Sequence, residues 1–246
     1  WLGRCAEAML SYHQAISVNP RYAEAYFNLA DLLRVADKPE EALANYDACL
    51  SIKPDFADAF SNRGNILKDL QRFDEAMESY EQVIALDPRH ATAYVNRAIL
   101  LKDMNRAEEA LASYALAIAS DPHYALAYNN RGIIFHNLER RSEALADFDA
   151  AIRIQPDFAE VFYNRAVVRH ELEHLSEALS DYQVAISLTP ANADAYYGLG
   201  KVLNAGRYHS AALAAYDKAI LLNAQSALAY RGRGIALHRM MRFAQS

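Results

Sequence analysis

The sequence has few of the residues that build tight turns. Its 246 residues include only eight glycines and seven prolines, which are too few for the many turns of a β-sandwich or a β-barrel. No apolar run approaches the roughly 20 residues that a membrane-spanning helix requires. The longest candidate, from Ala211 to Leu222, is interrupted by Asp217 and Lys218. We therefore expect a helical protein that does not cross a membrane.

Cysteine and clustered positive charge are also scarce. Cys5 and Cys49 have none of the spacings of a metal site or a disulfide framework. Lysine and arginine number 25 against 31 acidic residues, a net charge of −6 without a basic block. This balance disfavours nucleic acid or an anionic membrane as the main partner. Nothing resembles a signal peptide, so a cytoplasmic location is favoured.

What the sequence does contain is a regular spacing of proline. Six of the seven prolines follow one another at intervals of 34 residues, and Ala224 takes the next place. These prolines are Pro20, Pro54, Pro88, Pro122, Pro156 and Pro190. A fixed period of this length indicates a repeat array, so the chain is predicted to be one motif copied about seven times.

We number the positions of a repeat from Ala23, so that Ala57 begins the next repeat and the prolines fall at position 32. Positions 4 and 24 are aromatic in every copy, and position 8 is always small. Position 24 is occupied by Tyr12, Tyr46, Tyr80, Tyr114, Phe148, Tyr182 and Tyr216. Position 8 is occupied by Ala30, Gly64, Ala98, Gly132, Ala166, Gly200 and Gly234. Large and small residues at helical spacing predict two helices that pack closely.

Each repeat is therefore predicted to be an antiparallel pair of helices. Helix A spans positions 2–14, helix B spans positions 18–30, and the proline ends helix B. The complete repeats are 23–56, 57–90, 91–124, 125–158, 159–192 and 193–226, with partial repeats at 1–22 and 227–246. Trp1 falls at the turn before a helix B and Ser246 falls early in another helix B, so we expect a fragment of a longer chain. The predicted fold is an all-α solenoid forming a single domain over 1–246.

This 34-residue pattern resembles the tetratricopeptide repeat, and the resemblance covers essentially the whole chain. The family implies a right-handed superhelix whose A helices line a concave groove, with stability that is roughly a sum over neighbouring repeats. It also implies a protein or peptide partner. Positions 2 and 5 contain no lysine and a single arginine, Arg231, so we do not expect the carboxylate clamp of the chaperone-binding members.

Residues 170–174 match the zinc-binding motif H-E-x-x-H. The repeat register gives a simpler interpretation, because His170 and His174 lie at positions 12 and 16, which are mostly basic in the other copies. Position 16 also lies in the turn between helices A and B, so the two histidines should not share a helix face. The sequence has no glycine-rich phosphate loop and no G-x-S-x-G motif. We predict no metal site, no cofactor and no catalysis within this chain.

Position 6 carries the clearest functional signal. It is asparagine in five consecutive repeats and then Gly198 and Gly232. The five residues, which we call the asparagine ladder, are Asn28, Asn62, Asn96, Asn130 and Asn164. Asparagine inside a helix costs up to roughly 0.7 kcal/mol relative to alanine, so its recurrence calls for a compensating interaction. A carboxamide both donates and accepts hydrogen bonds, which suits the backbone of an extended peptide.

The ladder resembles that of the tetratricopeptide domain of O-linked N-acetylglucosamine transferases, which implies that its asparagines anchor a peptide backbone. Selectivity for side chains would then come from neighbouring residues in the groove. These neighbours are Val95, Ile99, Ile133, Tyr163, Val167 and Tyr197. The structural alternative is that each asparagine only ties its helix to the adjacent repeat, or that it persists from a recent duplication of the repeat.

Arginine follows asparagine at position 7 in several copies. These arginines are Arg63, Arg97, Arg131 and Arg165, and position 23 of the same repeats holds Ser79, Ser113, Asp147 and Asp181. Partly buried guanidinium groups are normally paired. We therefore predict that each arginine pairs with helix B of its own repeat and packs its stem between the helices.

Together these patterns predict a protein-interaction module that binds extended peptides or protein segments in its groove. The first alternative is the substrate-recruiting region of a larger enzyme, such as a glycosyltransferase of the kind named above. Recognition of single-stranded RNA by a helical repeat is a second alternative, which the 34-residue period and the net charge of −6 oppose. Self-assembly through the same surface is a third, and the sequence does not specify an oligomeric state.

Overall fold

The computed structural model describes residues 2–243, so the predictions for Trp1 and Ser246 lie outside the described residues. Over residues 2–243 the chain forms fourteen α-helices and no strand. The predicted all-α class is therefore confirmed. None of these helices is both long enough and apolar enough to cross a membrane.

Helices A and B alternate along the chain. The A helices are α2 (Ala23–Val35), α4 (Ala57–Asp69), α6 (Ala91–Asp103), α8 (Ala125–Asn137), α10 (Ala159–Glu171), α12 (Ala193–Ala205) and α14 (Ala227–Phe243). The B helices are α1 (Leu2–Val18), α3 (Pro39–Ile52), α5 (Phe73–Leu86), α7 (Ala107–Ser120), α9 (Arg141–Ile154), α11 (Leu175–Leu188) and α13 (His209–Leu222). From α2 to α13 they occupy positions 1–13 and 17–30, within one residue of the prediction.

The first and last helices are longer than predicted. Helix α1 begins at Leu2, which is position 14, rather than at position 18. Helix α14 continues to Phe243, through the place where the other repeats turn.

Each A/B turn has the same backbone geometry. Position 15 adopts a left-handed conformation in six repeats, with φ between 58° and 66°. These residues are Asp37, Gln71, Asn105, Glu139, Glu173 and Arg207. The next backbone N–H donates to the carbonyl oxygen five residues earlier, as from Lys38 to Leu33 at 3.0 Å and from His174 to Arg169 at 2.9 Å. This is the Schellman type of helix ending, so it separates α10 from α11.

Buried aromatic residues fill the space between the two helices of a repeat. The position-24 residues from Tyr46 to Tyr216 are at most 2% exposed. A Cβ atom on Gly64 would lie only 2.7 Å from the ring of Tyr80, and Gly132 faces Phe148 at the same distance. Position 8 is therefore small because a ring from helix B presses against it, as the sequence predicted.

The contacts between Cα atoms divide the chain into two compact units, of which the first ends at Pro122 and the second begins at His123. The first unit contains α1 to α7 and the second contains α8 to α14. In both units, A helices of successive repeats pack directly on each other, as α4 does on α6 and α10 does on α12. No two B helices pack to the same extent among residues 2–243. The A helices therefore line the inner side of each unit, and the B helices form the outer side.

Candidate functional site

The asparagine ladder lies on A helices, half-buried in both units. Asn28, Asn62 and Asn96 belong to α2, α4 and α6 of the first unit, whereas Asn130 and Asn164 belong to α8 and α10 of the second. The structure therefore places two groups of ladder residues on two inner faces, which we describe separately.

In the first unit, Asn62 joins two successive repeats. Its amide Nδ2 donates to Oδ1 of Asp31 on α2 at 3.0 Å. The hydroxyl of Tyr46, on helix B of the earlier repeat, donates to the same oxygen. Burial, together with the charge of Asp31, raises the pKa of Tyr46, so the hydroxyl keeps its proton and remains a donor. At this position the asparagine ties its helix to the adjacent repeat.

In the second unit, Asn164 makes the equivalent connection. Its Nδ2 donates to Oδ1 of Asn129 on α8 at 3.0 Å. Asn129 is 0% exposed and donates in turn to Glu160 at 3.3 Å and to Asn130 at 3.4 Å. A buried carboxamide needs such partners, so Asn164 and Asn129 form a polar contact between α8 and α10.

Asn28 and Asn96 differ from these two residues. Neither side chain has a hydrogen-bond partner within residues 2–243, although both are partly buried. Asn62 donates to the residue at position 9 of the preceding repeat. For Asn96 that residue is Asn65, whose Oδ1 accepts from the Tyr80 hydroxyl at 2.8 Å instead. For Asn28 the corresponding position one repeat earlier lies outside residues 1–246, so only Asn96 can be compared with Asn62. The carboxamide of Asn96 is thus the ladder group available to a ligand with both donor and acceptor.

The ladder ends where tyrosine rings occupy position 6. A Cβ atom on Gly198 would lie 2.4 Å from Cζ of Tyr182, and one on Gly232 would lie 2.5 Å from Cε1 of Tyr216. Each ring belongs to the preceding repeat. No side chain can be added at these glycines without moving a buried aromatic ring, so position 6 lacks an asparagine there for a steric reason.

Val95 does not belong to the exposed surface that the sequence suggested, because its side chain is 2% exposed. Position 5 points toward the position-24 ring of helix B, so the short side chain of Val95 is covered, whereas the longer tyrosine side chains at this position remain partly exposed. The ring centroids of Tyr163 and Tyr182, for example, are 6.0 Å apart. The other predicted neighbours of the ladder are only partly buried. They are Ile99 in the first unit and Ile133, Tyr163, Val167 and Tyr197 in the second.

All four predicted arginine pairs are confirmed. The serine acceptors lie 2.7 Å from Arg63 and 3.0 Å from Arg97, and the aspartate acceptors lie 2.7 Å from Arg131 and 2.6 Å from Arg165 at the closest. These pairs are Arg63 with Ser79, Arg97 with Ser113, Arg131 with Asp147, and Arg165 with Asp181. The position-7 arginines therefore join helices A and B within a repeat.

Sequence reasoning missed a second partner of these arginines. Arg63 also donates to Asp47 at 2.7 Å, and Arg165 also donates to Asp149 at 2.6 Å. Both aspartates lie at position 25 of the preceding repeat, so one guanidinium group holds two repeats together. The signal in the sequence was an aspartate at position 25 sixteen residues before the arginine.

The H-E-x-x-H string is divided by the A/B turn. Helix α10 ends at Glu171, and His174 lies beyond it. The Glu171 carboxylate contacts His136 of the preceding repeat at 3.0 Å and Arg141 at 3.3 Å. No group of potential metal ligands occurs among the described residues. The string thus contributes an ionic contact between repeats, and its two histidines flank a turn.

The chain belongs to the tetratricopeptide repeat family. Models of that repeat match most of the sequence, and three matched segments, 57–90, 125–158 and 193–226, coincide with complete repeats described above. The matched segments are 2–56, 57–90, 79–112, 125–158, 168–205 and 193–226. Members of this family are scaffolds for protein–protein interaction, and this chain has their architecture.

Several solved structures resemble the chain. YrrB, described as a tetratricopeptide protein with an unusual peptide-binding site, is 26% identical, with a TM-score of 0.57 over 73% of this chain and 92% of its own. PilW, a type IV pilus biogenesis factor, is 23% identical with a TM-score of 0.73, covering 85% and 97%. PilF of Pseudomonas aeruginosa is 19% identical with a TM-score of 0.75, covering 86% and 96%. The last two show the fold alone, and no curated protein sequence matches significantly.

Proposed function

We propose that the inner face of each unit binds an extended peptide segment of a protein partner, with ladder carboxamides contacting the peptide backbone. One observation carries this proposal. Asn96 has no side-chain partner among residues 2–243, in a helix where asparagine costs up to roughly 0.7 kcal/mol relative to alanine. Bonds to a peptide N–H and C=O would compensate for that cost.

Three other ladder residues contribute in part. Asn130 accepts at its Oδ1 from Asn129 at 3.4 Å, which leaves its amide Nδ2 as a donor for a peptide C=O. Asn62 and Asn164 use an amide hydrogen for the contact between repeats, which leaves the carboxamide oxygen as an acceptor for a peptide N–H. These two residues therefore have a structural role and a reduced binding role. The proposal combines the two hypotheses for the ladder and assigns them to different repeats.

Two further considerations support a peptide as the ligand. YrrB is described as having a peptide-binding site and is 26% identical. The groove residues around the ladder are apolar or aromatic and partly exposed, as at Ile99, Val167 and Tyr197. Backbone contacts would set general affinity, and these side chains would set the preference for apolar residues. Recruitment of a substrate to a catalytic domain of the same protein is the alternative proposal, and it uses the same surface.

The test compares the effects of replacing Asn96 and Asn62 on peptide binding and on stability. Fluorescence anisotropy measures binding of a labelled pool of capped random nonapeptides to the chain, and urea unfolding measures stability. We expect Asn96→Ala to weaken binding by about 2- to 13-fold, the equivalent of one hydrogen bond of about 0.5–1.5 kcal/mol. Its stability should be unchanged or slightly higher, because alanine is the better helix former.

Asn62→Ala should lower stability, because it removes the hydrogen bond that the amide of Asn62 donates to Asp31. Asn45→Ala is the matched control, since Asn45 lies on α3 and donates to the backbone oxygen of Glu41 at 2.8 Å. This variant should leave binding unchanged. Equal binding by the Asn96→Ala variant and the unmodified chain would contradict the proposed role of the ladder.

A further inference from the structure

The second unit contains a cavity of about 300 Å³ whose walls come from α10, α12, α13 and α14. The rings of Tyr197 and Tyr216 form part of the wall, and Lys201, Arg231 and Arg239 supply positive charge. No aspartate or glutamate of the described chain lines this cavity. It is therefore a basic pocket with aromatic walls in a chain of net charge −6.

The positive charges of this pocket are not neutralised by the protein. Lys201 and Arg231 have no carboxylate within ion-pair distance among residues 2–243, and Arg239 donates only to the backbone oxygen of Asn204, at 3.2 Å. The Lys201 ammonium lies 5.8 Å from the centre of the Tyr197 ring. Arg165, by contrast, has two aspartate partners. The unpaired cations distinguish this pocket from the structural ion pairs.

A neighbouring histidine responds to this charge. His170 also lines the cavity. Burial, followed by the positive charge of Lys201, lowers its pKa, while Glu171 acts in the opposite direction.

We infer that this pocket binds an oxyanion, a carboxylate or a phosphate group, carried by the peptide that occupies the inner face of the second unit. The inference rests on the proposed function and specifies the chemistry of the ligand. Lys201 and Arg231 would donate charge-assisted hydrogen bonds to the oxyanion, and the tyrosine rings would cover the stem of the side chain that carries it. A cavity of about 300 Å³ holds one such side chain.

This pocket differs from the carboxylate clamp of the chaperone-binding members, which the sequence does not predict here. Of the three cations, only Arg231 lies at position 2 or 5. Lys201 lies at position 9 and Arg239 at position 13, so most of the positive charge comes from other positions. Because Lys201 and Arg231 are exposed, replacing them should not unfold the chain.

Three capped nonapeptide pools test the inference by fluorescence anisotropy at low salt. They are random except at the central position, which is Glu, Gln or phosphoserine. We expect the Glu pool, the phosphoserine pool or both to bind about tenfold more tightly than the Gln pool, and we expect this advantage to shrink as salt screens the charges. Comparing the two acidic pools distinguishes a carboxylate from a phosphate as the preferred group.

The double variant Lys201→Met/Arg231→Met should lose the tenfold advantage and keep the affinity for the Gln pool. The matched control is Lys218→Gln/Arg153→Gln, which removes two exposed cations outside the pocket and should keep the advantage. Equal binding of all three pools would overturn the inference and leave the proposed function intact. An advantage that persists in the pocket variant would also overturn it.

Inorganic phosphate gives a test that does not require a peptide. In ¹H–¹⁵N NMR spectra, phosphate should shift the backbone amides of Ala205 and Gly232, which line the cavity, and the pocket variant should abolish these shifts. If phosphate produces such shifts but no pool binds, the anion site is supported and the proposed function fails. If phosphate produces none and the pools bind alike, the inference is wrong.

Discussion

Asp181 is a buried carboxylate with two arginine partners, and its replacement by Asn tests how the repeats are held together. It is 3% exposed. It accepts from Arg165 at 2.9 and 2.6 Å and from Arg169 at 2.7 Å. The Asp181→Asn variant keeps the shape of the side chain and removes its charge, which leaves two guanidinium groups facing a neutral amide.

The expected loss of stability follows from the burial of these groups. Removing one partner of a buried ion pair costs about 3–5 kcal/mol, because the other charge stays buried without compensation. Arg165 keeps Asp149 at 2.6 Å, whereas Arg169 loses its carboxylate partner. The Arg169 side chain is 22% exposed and gains some hydration. We therefore expect a loss of about 3 kcal/mol, at the lower end of that range.

Urea unfolding followed by circular dichroism measures the total effect, and hydrogen exchange locates it. Exchange should accelerate mainly in α10 and α11, since stability in a repeat array is a sum over neighbours. Asp217→Asn is the matched control: Asp217 pairs with the position-7 arginine Arg233 at 2.5 Å, but the side chains are 49% and 42% exposed. An exposed pair contributes about 0–1 kcal/mol. If Asp181→Asn cost no more than Asp217→Asn, the account of the buried arginine pairs would be refuted.

Three further predictions concern glycine, cysteine and histidine. Gly234→Ala should stabilise the chain by about 1 kcal/mol through helix propensity, because a Cβ atom there meets nothing within 4 Å. The Gly200→Ala variant should be less stable than the Gly234→Ala variant by about 1–3 kcal/mol, because its Cβ atom would lie 2.6 Å from a tyrosine ring. Urea unfolding measures both variants. Cys49 should react with iodoacetamide more slowly than the other cysteine, since it is 0% exposed and burial raises its pKa to about 11. An NMR titration should place the pKa of His170 below its ordinary 6.5, and Lys201→Met should raise it.

The period of 34 residues was sufficient to predict most of the fold. It located the interior helix ends to within one residue, because proline and the A/B turn recur in register. It also predicted that position 8 is small, since Gly64 faces the Tyr80 ring, and it paired Arg165 with Asp181. These features repeat, so one correct assignment extends to every copy.

Other features depend on individual neighbours and could not be predicted. Asn62 bonds to Asp31 because a carboxylate oxygen accepts from two donors, whereas Asn65 accepts from Tyr80 alone. The period identifies which face an asparagine occupies, but the residue one repeat earlier decides its partner. The basic pocket was missed for a similar reason, since its cations come from three different positions on α12 and α14.

The central claim is that partner peptides contact the unpaired ladder carboxamides on the inner face. The most direct measurement is an NMR titration of ¹⁵N-labelled chain with the random nonapeptide pool, observed at the side-chain amides. The account predicts that the Nδ2 resonance of Asn96 shifts with the bound fraction, while that of Asn45 on α3 does not. Saturable binding without a shift at Asn96 would contradict it.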